Sequence, residues 1–132
     1  FDRLLGNGAP AFVPRCGPDV ADVVAVIARA GGVTSLAHPR LLGIDDRIAG
    51  YAESGLSAIE VRHRDHTPLD EAYYRRLAAT LDLAVSGGSD FHGDDVSRVE
   101  QGLGEDVICG PGSVTLGAED FAALEACRPR PQ

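Results

Sequence analysis

Lysine is absent from this chain: all 12 basic side chains are arginine, set against 20 acidic ones. The formal net charge of −8 argues against binding duplex DNA, whose phosphate backbone needs several unopposed cations. It leaves room for a small phosphorylated ligand held through metals, because a cluster of carboxylates and histidines looks acidic until its cations are counted. Cysteine is scarce. Cys16, Cys109 and Cys127 are odd in number, widely spaced and without a C-x-x-C pair. That pattern excludes a disulfide framework and a structural zinc ribbon, and it reads as free, small, buried apolar side chains in a reducing cytoplasm. Long apolar runs are also lacking, since a membrane helix needs about 20 such residues. The stretch 20–30 is apolar but short, and Asp22 and Arg29 interrupt it. No basic-then-apolar leader follows Phe1, so nothing reads as a signal peptide. A start at Phe1 reads instead as a fragment or a trimmed chain. There is no G-x-S-x-G elbow, no P-loop and no dinucleotide glycine motif, which removes support for serine-triad hydrolysis and nucleoside triphosphate binding.

What is present is enough for one modest domain: 132 residues, 44% hydrophobic, with 16 Gly and 8 Pro mostly punctuating apolar runs. Residues 1–17 read as an irregular connecting segment and residues 128–132 as a tail. A helix is expected from Pro18, with Val20, Val23, Val24 and Ile27 in one stripe, stopped by Gly31 and Gly32. Residues 33–37 read as a strand ended by His38 and Pro39. Asp45 and Asp46 open a helix that Gly55 closes. Residues 58–61 form a second strand candidate ending in Arg62 and His63. Thr67 is a good N-cap before Pro68, and Leu69, Tyr73, Leu77 and Leu81 recur every four residues along the helix that follows. Residues 83–86 are a third strand candidate, ending in Gly87 and Gly88. After a polar, Gly-rich stretch over 93–112, residues 114–116 read as a last strand and 118–127 as a last helix with Phe121 and Leu124 inward. The three strand candidates start at 33, 58 and 83 with a helix in each gap, the βα step of a parallel sheet or barrel.

All four histidines, His38, His63, His66 and His92, follow the C-terminal ends of these strands, as does Asp90. In βα folds that is where ligand and catalytic groups gather, so the cluster reads as functional. Asp90 and His92 are two residues apart, and in an extended segment they leave on one side. They suit a metal pair, or else a turn in which Asp90 caps a helix and His92 faces solvent. His38, stiffened by Pro39, is a ligand position or a structural one. Arg40 is placed to meet a phosphate oxygen with its planar fork, or to sit on the surface. His63 and His66 suit substrate contact better than metal ligation or proton donation. Glu60, inside a strand, points to the rim or to the interior.

These residues give the chain a resemblance to the PHP (polymerase and histidinol phosphatase) phosphoesterases, within them to the nucleoside 3′,5′-bisphosphate phosphatases and 5′-to-3′ exoribonucleases. The matching strings are Phe1-Asp2-Arg3-Leu4-Leu5-Gly6, Ala11-Phe12-Val13-Pro14-Arg15, Ala30-Gly31-Gly32-Val33, Ala37-His38-Pro39, Ile59-Glu60-Val61, His66-Thr67-Pro68 and Gly87-Gly88-Ser89-Asp90-Phe91-His92-Gly93. The resemblance implies an α/β fold: the last three to four βα units of a distorted (β/α)7 barrel, carried by residues 18–127. It implies up to three divalent metals in the intact enzyme, manganese first and zinc or iron as alternatives, with His38, Asp90 and His92 matching metal ligands. Arg40, His63 and His66 would then face a small phosphorylated substrate, a nucleotide or short oligonucleotide, attacked by a metal-bound hydroxide. The family's early H-x-H pair has no counterpart here, so the missing N-terminal half of the domain is the implied partner, and the isolated fragment is expected to be nearly inactive. Arg62 stands where relatives usually carry an aromatic residue. The rival readings are an amidohydrolase-like metal hydrolase and a non-catalytic binding remnant.

Overall fold

The computed structural model describes residues 2–6, 8–14, 16–92 and 110–129. The expected Gly-rich stretch over 93–112 therefore lies largely outside the described residues, as does Cys109; Cys16 and Cys127, expected buried, are exposed. A single helical turn, α1 (Asp2–Leu5), occupies part of the segment expected to be irregular. Helix α2 spans Val20–Arg29 and begins two residues later than Pro18, because Asp19 takes the cap position in extended backbone. The following elements are β1 (Ser35–Leu36), α3 (Pro39–Leu42), α4 (Asp45–Glu53), β2 (Ala58–His63), α5 (Pro68–Thr80), β3 (Ala84–Gly88) and α6 (Ala118–Ala126).

The three strands form one parallel sheet in the order β1-β2-β3. Alternating strand and helix feed a parallel sheet because each crossover needs a covering helix. The sheet is strongly curved. Ser35 Oγ on β1 and Ser86 Oγ on β3 lie 2.6 Å apart, although strands two places apart in a flat sheet sit roughly 9–10 Å from one another. Such curvature is that of a barrel wall.

The core lies on the helix-covered side: Ile48 from α4, Ile59 and Val61 from β2, Tyr74 and Ala78 from α5, and Val85 from β3. The four-residue series on α5 is only half right. Leu77 and Leu81 pack against this core, but Leu69 is 82% exposed and Tyr73 also faces outward. A strict four-residue step advances about 400°, so its stripe drifts around a helix of 3.6 residues per turn. Tyr74 and Ala78 fill the positions from which the drift carries it away. On α2 the expected stripe faces inward without being buried. Val20, Val24 and Ile27 line one wall of a cavity of about 490 Å³ whose other walls include Leu36, Tyr51 and Leu56.

Residues 114–116 do not form the expected strand. Leu116 instead packs against the core, and α6 follows beside β3. Phe121, expected inward, is exposed, and Leu124 is half-buried. What fastens α6 to α5 is ionic: Arg75 donates from both terminal nitrogens to the Asp120 carboxylate, at 2.9 and 2.8 Å. No helix among the described residues is long and apolar enough to cross a membrane.

The N-terminus of α5 carries a capping box in which Thr67 and Asp70 satisfy each other's backbone N–H groups. The Thr67 backbone and hydroxyl donors hold the Asp70 carboxyl below its ordinary value, helped by Arg40. The Arg75 fork does the same to Asp120. A carboxylate with a depressed folded-state pKa adds stability above its unfolded pKa of about 4 and loses it as pH falls through the folded value. The melting temperature should therefore drop below about pH 4, and Asp120→Asn should flatten part of that drop. Circular dichroism melts between acid and neutral pH test this; an identical acid profile in the variant would refute the Asp120 contribution.

Candidate functional site

The C-terminal ends of the three strands carry the site. At the end of β1, His38 adopts φ 32 and ψ 55 in the left-handed region, a conformation that costs a non-glycine residue on the order of 1–3 kcal/mol. Its amide donates to Glu60 Oε2 at 2.6 Å, so a carboxylate on the neighbouring strand holds the strained backbone in place. Glu60 thus points to the rim. β1 ends at Leu36, and Pro39 starts the short α3, where its missing N–H is no loss.

Strand β2 is irregular where it matters. Glu60 pairs with Ser86 and Arg62 with Gly87, so Val61 has no place in the register. This bulge re-aims the residues after it. Only glycine fits at position 87: a Cβ there would lie 2.7 Å from Arg62 Cβ and 2.8 Å from Arg62 O. The Val61 carbonyl accepts from His66 Nδ1 at 2.7 Å, so the bulge and the His66 ring fix one another.

The ring partners assign the tautomers. A carbonyl can only accept, so His66 carries its proton on Nδ1 and leaves Nε2 bare. His63 is the reverse. Its Nδ1 accepts from the Asp65 amide at 3.1 Å, so its proton sits on Nε2. His92 resembles His66, donating from Nδ1 to the Asp90 carbonyl at 2.8 Å. Histidines that bind metals usually give one ring N–H to a carbonyl or carboxylate and coordinate through the other nitrogen. His66 and His92 hold that form, and His63 does not.

Asp90, after β3, also has positive φ, at 48°. The extended alternation expected for Asp90 and His92 is therefore replaced by a left-handed kink, which still leaves Asp90 Oδ1 3.5 Å from His92 Nδ1. On its other side, Asp90 Oδ2 faces His63 Nε2 at 3.6 Å. The His63 ring lies 5.8 Å from that of His38 and 5.3 Å from that of His66. His63 thus neighbours both His38 and Asp90, and Asp90 neighbours His92. Among the described residues, no three His, Cys, Asp or Glu side chains are grouped as a metal cage.

The donors nonetheless fit a divalent metal in kind. His38 Nδ1 and His66 Nε2 are buried without a hydrogen-bond partner, Asp90 is an acceptor-only carboxylate, and the bare nitrogen of His92 belongs to a side chain 78% exposed. Arg40, on α3, spends Nε on Asp70 at 3.2 Å and keeps an exposed side chain. Thr67 supplies the cap of α5, as expected. Two residues of the site were not identified from sequence. Glu60 was left undecided, its signal being a lone carboxylate in an apolar strand. Tyr74, whose ring stacks on His66 at 5.4 Å, was hidden behind the Leu69 series.

A parallel βα sheet with histidines and a carboxylate along its C-terminal rim has the residue types that metal-dependent hydrolases use, and comparison with known proteins narrows the class. The chain is homologous to PHP-type metal-dependent phosphoesterases. It is 43% identical over 75 residues to a phosphoribosyl 1,2-cyclic phosphate 1,2-diphosphodiesterase of Eggerthella lenta, covering 57% of this chain and 29% of that protein. It is 32% identical over 119 residues to a 3′,5′-nucleoside bisphosphate phosphatase of Chromobacterium violaceum, covering 84% and 41%. It is 30% identical over 97 residues to the 5′-3′ exoribonuclease Rnm of Escherichia coli, covering 70% and 33%. A crystal structure from Bifidobacterium adolescentis, assigned as a metal-dependent phosphoesterase, superposes on 93% of this chain with a TM-score of 0.66 and 25% identity, and this chain covers 41% of it. No family model matches the chain. The chain spans less than half the length of each of these relatives. The α/β class expected from the sequence is observed as a three-stranded parallel sheet, with which a partial barrel is consistent.

Proposed function

We propose that this chain supplies one wall of a metal-dependent phosphoester hydrolase acting on a ribosyl phosphoester such as a nucleoside bisphosphate or a short oligonucleotide. The observation that carries the reading is the chain of rim neighbours, His38 with His63, His63 with Asp90 and Asp90 with His92, with His92 held in the tautomer that leaves Nε2 bare. His38, Asp90 and His92 are the metal ligands in this reading, with manganese first and zinc or iron as alternatives. The metals would supply Lewis acidity toward the phosphoryl oxygens and an activated water. The chain's own residues do the rest. Glu60 fixes the His38 backbone, Arg40 offers its fork to a phosphate oxygen, and His66 accepts a hydrogen bond from the substrate through Nε2. A bare imidazole nitrogen cannot donate to phosphate, so His66 suits a sugar hydroxyl. Cyclic phosphodiester, bisphosphate and RNA, named for the relatives, all join ribose to phosphate. The remaining ligands would come from the rest of the domain, and a cytoplasmic setting suits the exposed free thiols Cys16 and Cys127.

Ring ¹⁵N and ¹H spectra of the chain with Zn²⁺, the diamagnetic alternative, provide the test. Adding a nucleoside 3′,5′-bisphosphate should shift His38, His66 and His92, and an amide analogue should shift none. Equal responses to both compounds would favour an amidohydrolase-like site. Absence of any metal effect would favour a non-catalytic remnant.

A further inference from the structure

We propose that His63 is the positioning residue for Asp90, donating its Nε2–H to Oδ2 and so turning the carboxylate toward its metal. The inference rests on the metal reading of Asp90 above. Sequence reasoning put His63 against substrate; the structure assigns it a different task.

The ring is fully enclosed, with its side chain 0% exposed. Its Nδ1 is committed to the Asp65 amide, which leaves a proton on Nε2 and no lone pair there for a metal. A buried donor without a partner costs free energy, and Nε2 is such a donor. The acceptor it faces is Asp90 Oδ2 at 3.6 Å, a gap that a small carboxylate rotation closes to hydrogen-bond length. Asp90 needs that hold. Its backbone is in the left-handed region, its side chain is 31% exposed, and the neighbour of its other oxygen among the described residues is the exposed His92. A carboxylate that binds metal through one oxygen is commonly oriented by a hydrogen bond on the other. The bulge at Val61 gives His63 its place, pairing it with Gly88 two residues before Asp90. The glycine demanded at 87 and the Asp65 amide thus act on the same outcome: a protonated Nε2 aimed at Asp90.

The experiment combines tautomer and affinity. Long-range ¹⁵N–¹H spectra of the native chain should show His63 protonated on Nε2 and His66 on Nδ1; a His63 protonated on Nδ1 overturns the proposal. Mn²⁺ affinity, followed by water proton relaxation, should fall about 10- to 100-fold in His63→Phe. His63→Gln, which restores an N–H near the Nε2 position, should recover most of it. Thermal melts establish that each variant is folded. Loss in Asp90→Ala together with native affinity in folded His63→Phe overturns the orienting role alone. Native affinity in Asp90→Ala, or no Mn²⁺ binding by the unaltered chain, overturns the metal reading and this role with it.

Discussion

The 132 residues alone are expected to release phosphate from a nucleoside 3′,5′-bisphosphate at a rate near background, and to bind at most one Mn²⁺ weakly. Phosphoester hydrolysis by metals requires ions held at fixed coordination while they neutralise the phosphoryl oxygens. Here His38, Asp90 and His92 are brought to one rim, but no three such side chains among the described residues group as a cage. One such ligand, His92, is held chiefly by the backbone of Asp90, so ordering it falls on the metal itself. The sheet has a further shortage. β1 pairs with β2 across only two residues, so the wall that carries His38 is weakly anchored. A malachite-green phosphate assay with manganese measures the first expectation, and isothermal titration measures the second. Turnover comparable to an intact phosphatase would show that three rim donors suffice and would end the reading of this chain as one wall of a larger site.

Much of the architecture was legible because its signals are local. The strands near 33, 58 and 83 are short apolar runs bounded by glycine, proline or histidine, and Thr67-Pro68 announces α5 by a cap whose partners lie within three residues. The residue types of the site were legible for the same reason, since each His and Asp90 follows a strand end. What was not legible depends on atoms far apart in sequence. Glu60 reveals its direction only when the His38 amide, 22 residues away, is set against it. The bulge at Val61 exists only relative to β3; the His66 tautomer follows from the Val61 carbonyl, and the His63 tautomer from the Asp65 amide. The inward face of α5 was misread because two aromatic residues stand side by side, and packing, not periodicity, chooses Tyr74 over Tyr73. Phe121 was misread because an ion pair, Arg75 with Asp120, fixes α6 where an apolar contact was expected.

Tyr74→Ala is expected to cost about 3–5 kcal/mol, the range for removing a large buried aromatic, against a total stability of about 5–15 kcal/mol for a domain. The side chain is 2% exposed and sits among Ile48, Ile59, Val61, Ala78 and Val85, so its loss empties the centre of the only core cluster among the described residues. Its hydroxyl donates to Asp45 Oδ1 at 2.9 Å, tying α5 to α4. Burial and the adjacent Asp45 carboxylate push the phenol far above its ordinary pKa, so it remains a donor throughout the neutral range. Tyr74→Phe keeps the ring and loses only that bond, at about 1 kcal/mol, because the exposed Asp45 can be rehydrated. Urea titrations should therefore separate the two variants widely, and equal midpoints would mean that the hydroxyl, not the ring, carries the stability. The same ring supports the site, stacking on His66 at an interplanar angle of 26°. In Tyr74→Phe the His66 tautomer should persist. In Tyr74→Leu, which refills part of the volume without a stacking face, the His66 ring signals should broaden while the fold survives. Unchanged His66 signals in Tyr74→Leu would show that the Val61 carbonyl alone holds that ring, and that core and site are joined through β2 rather than through α5.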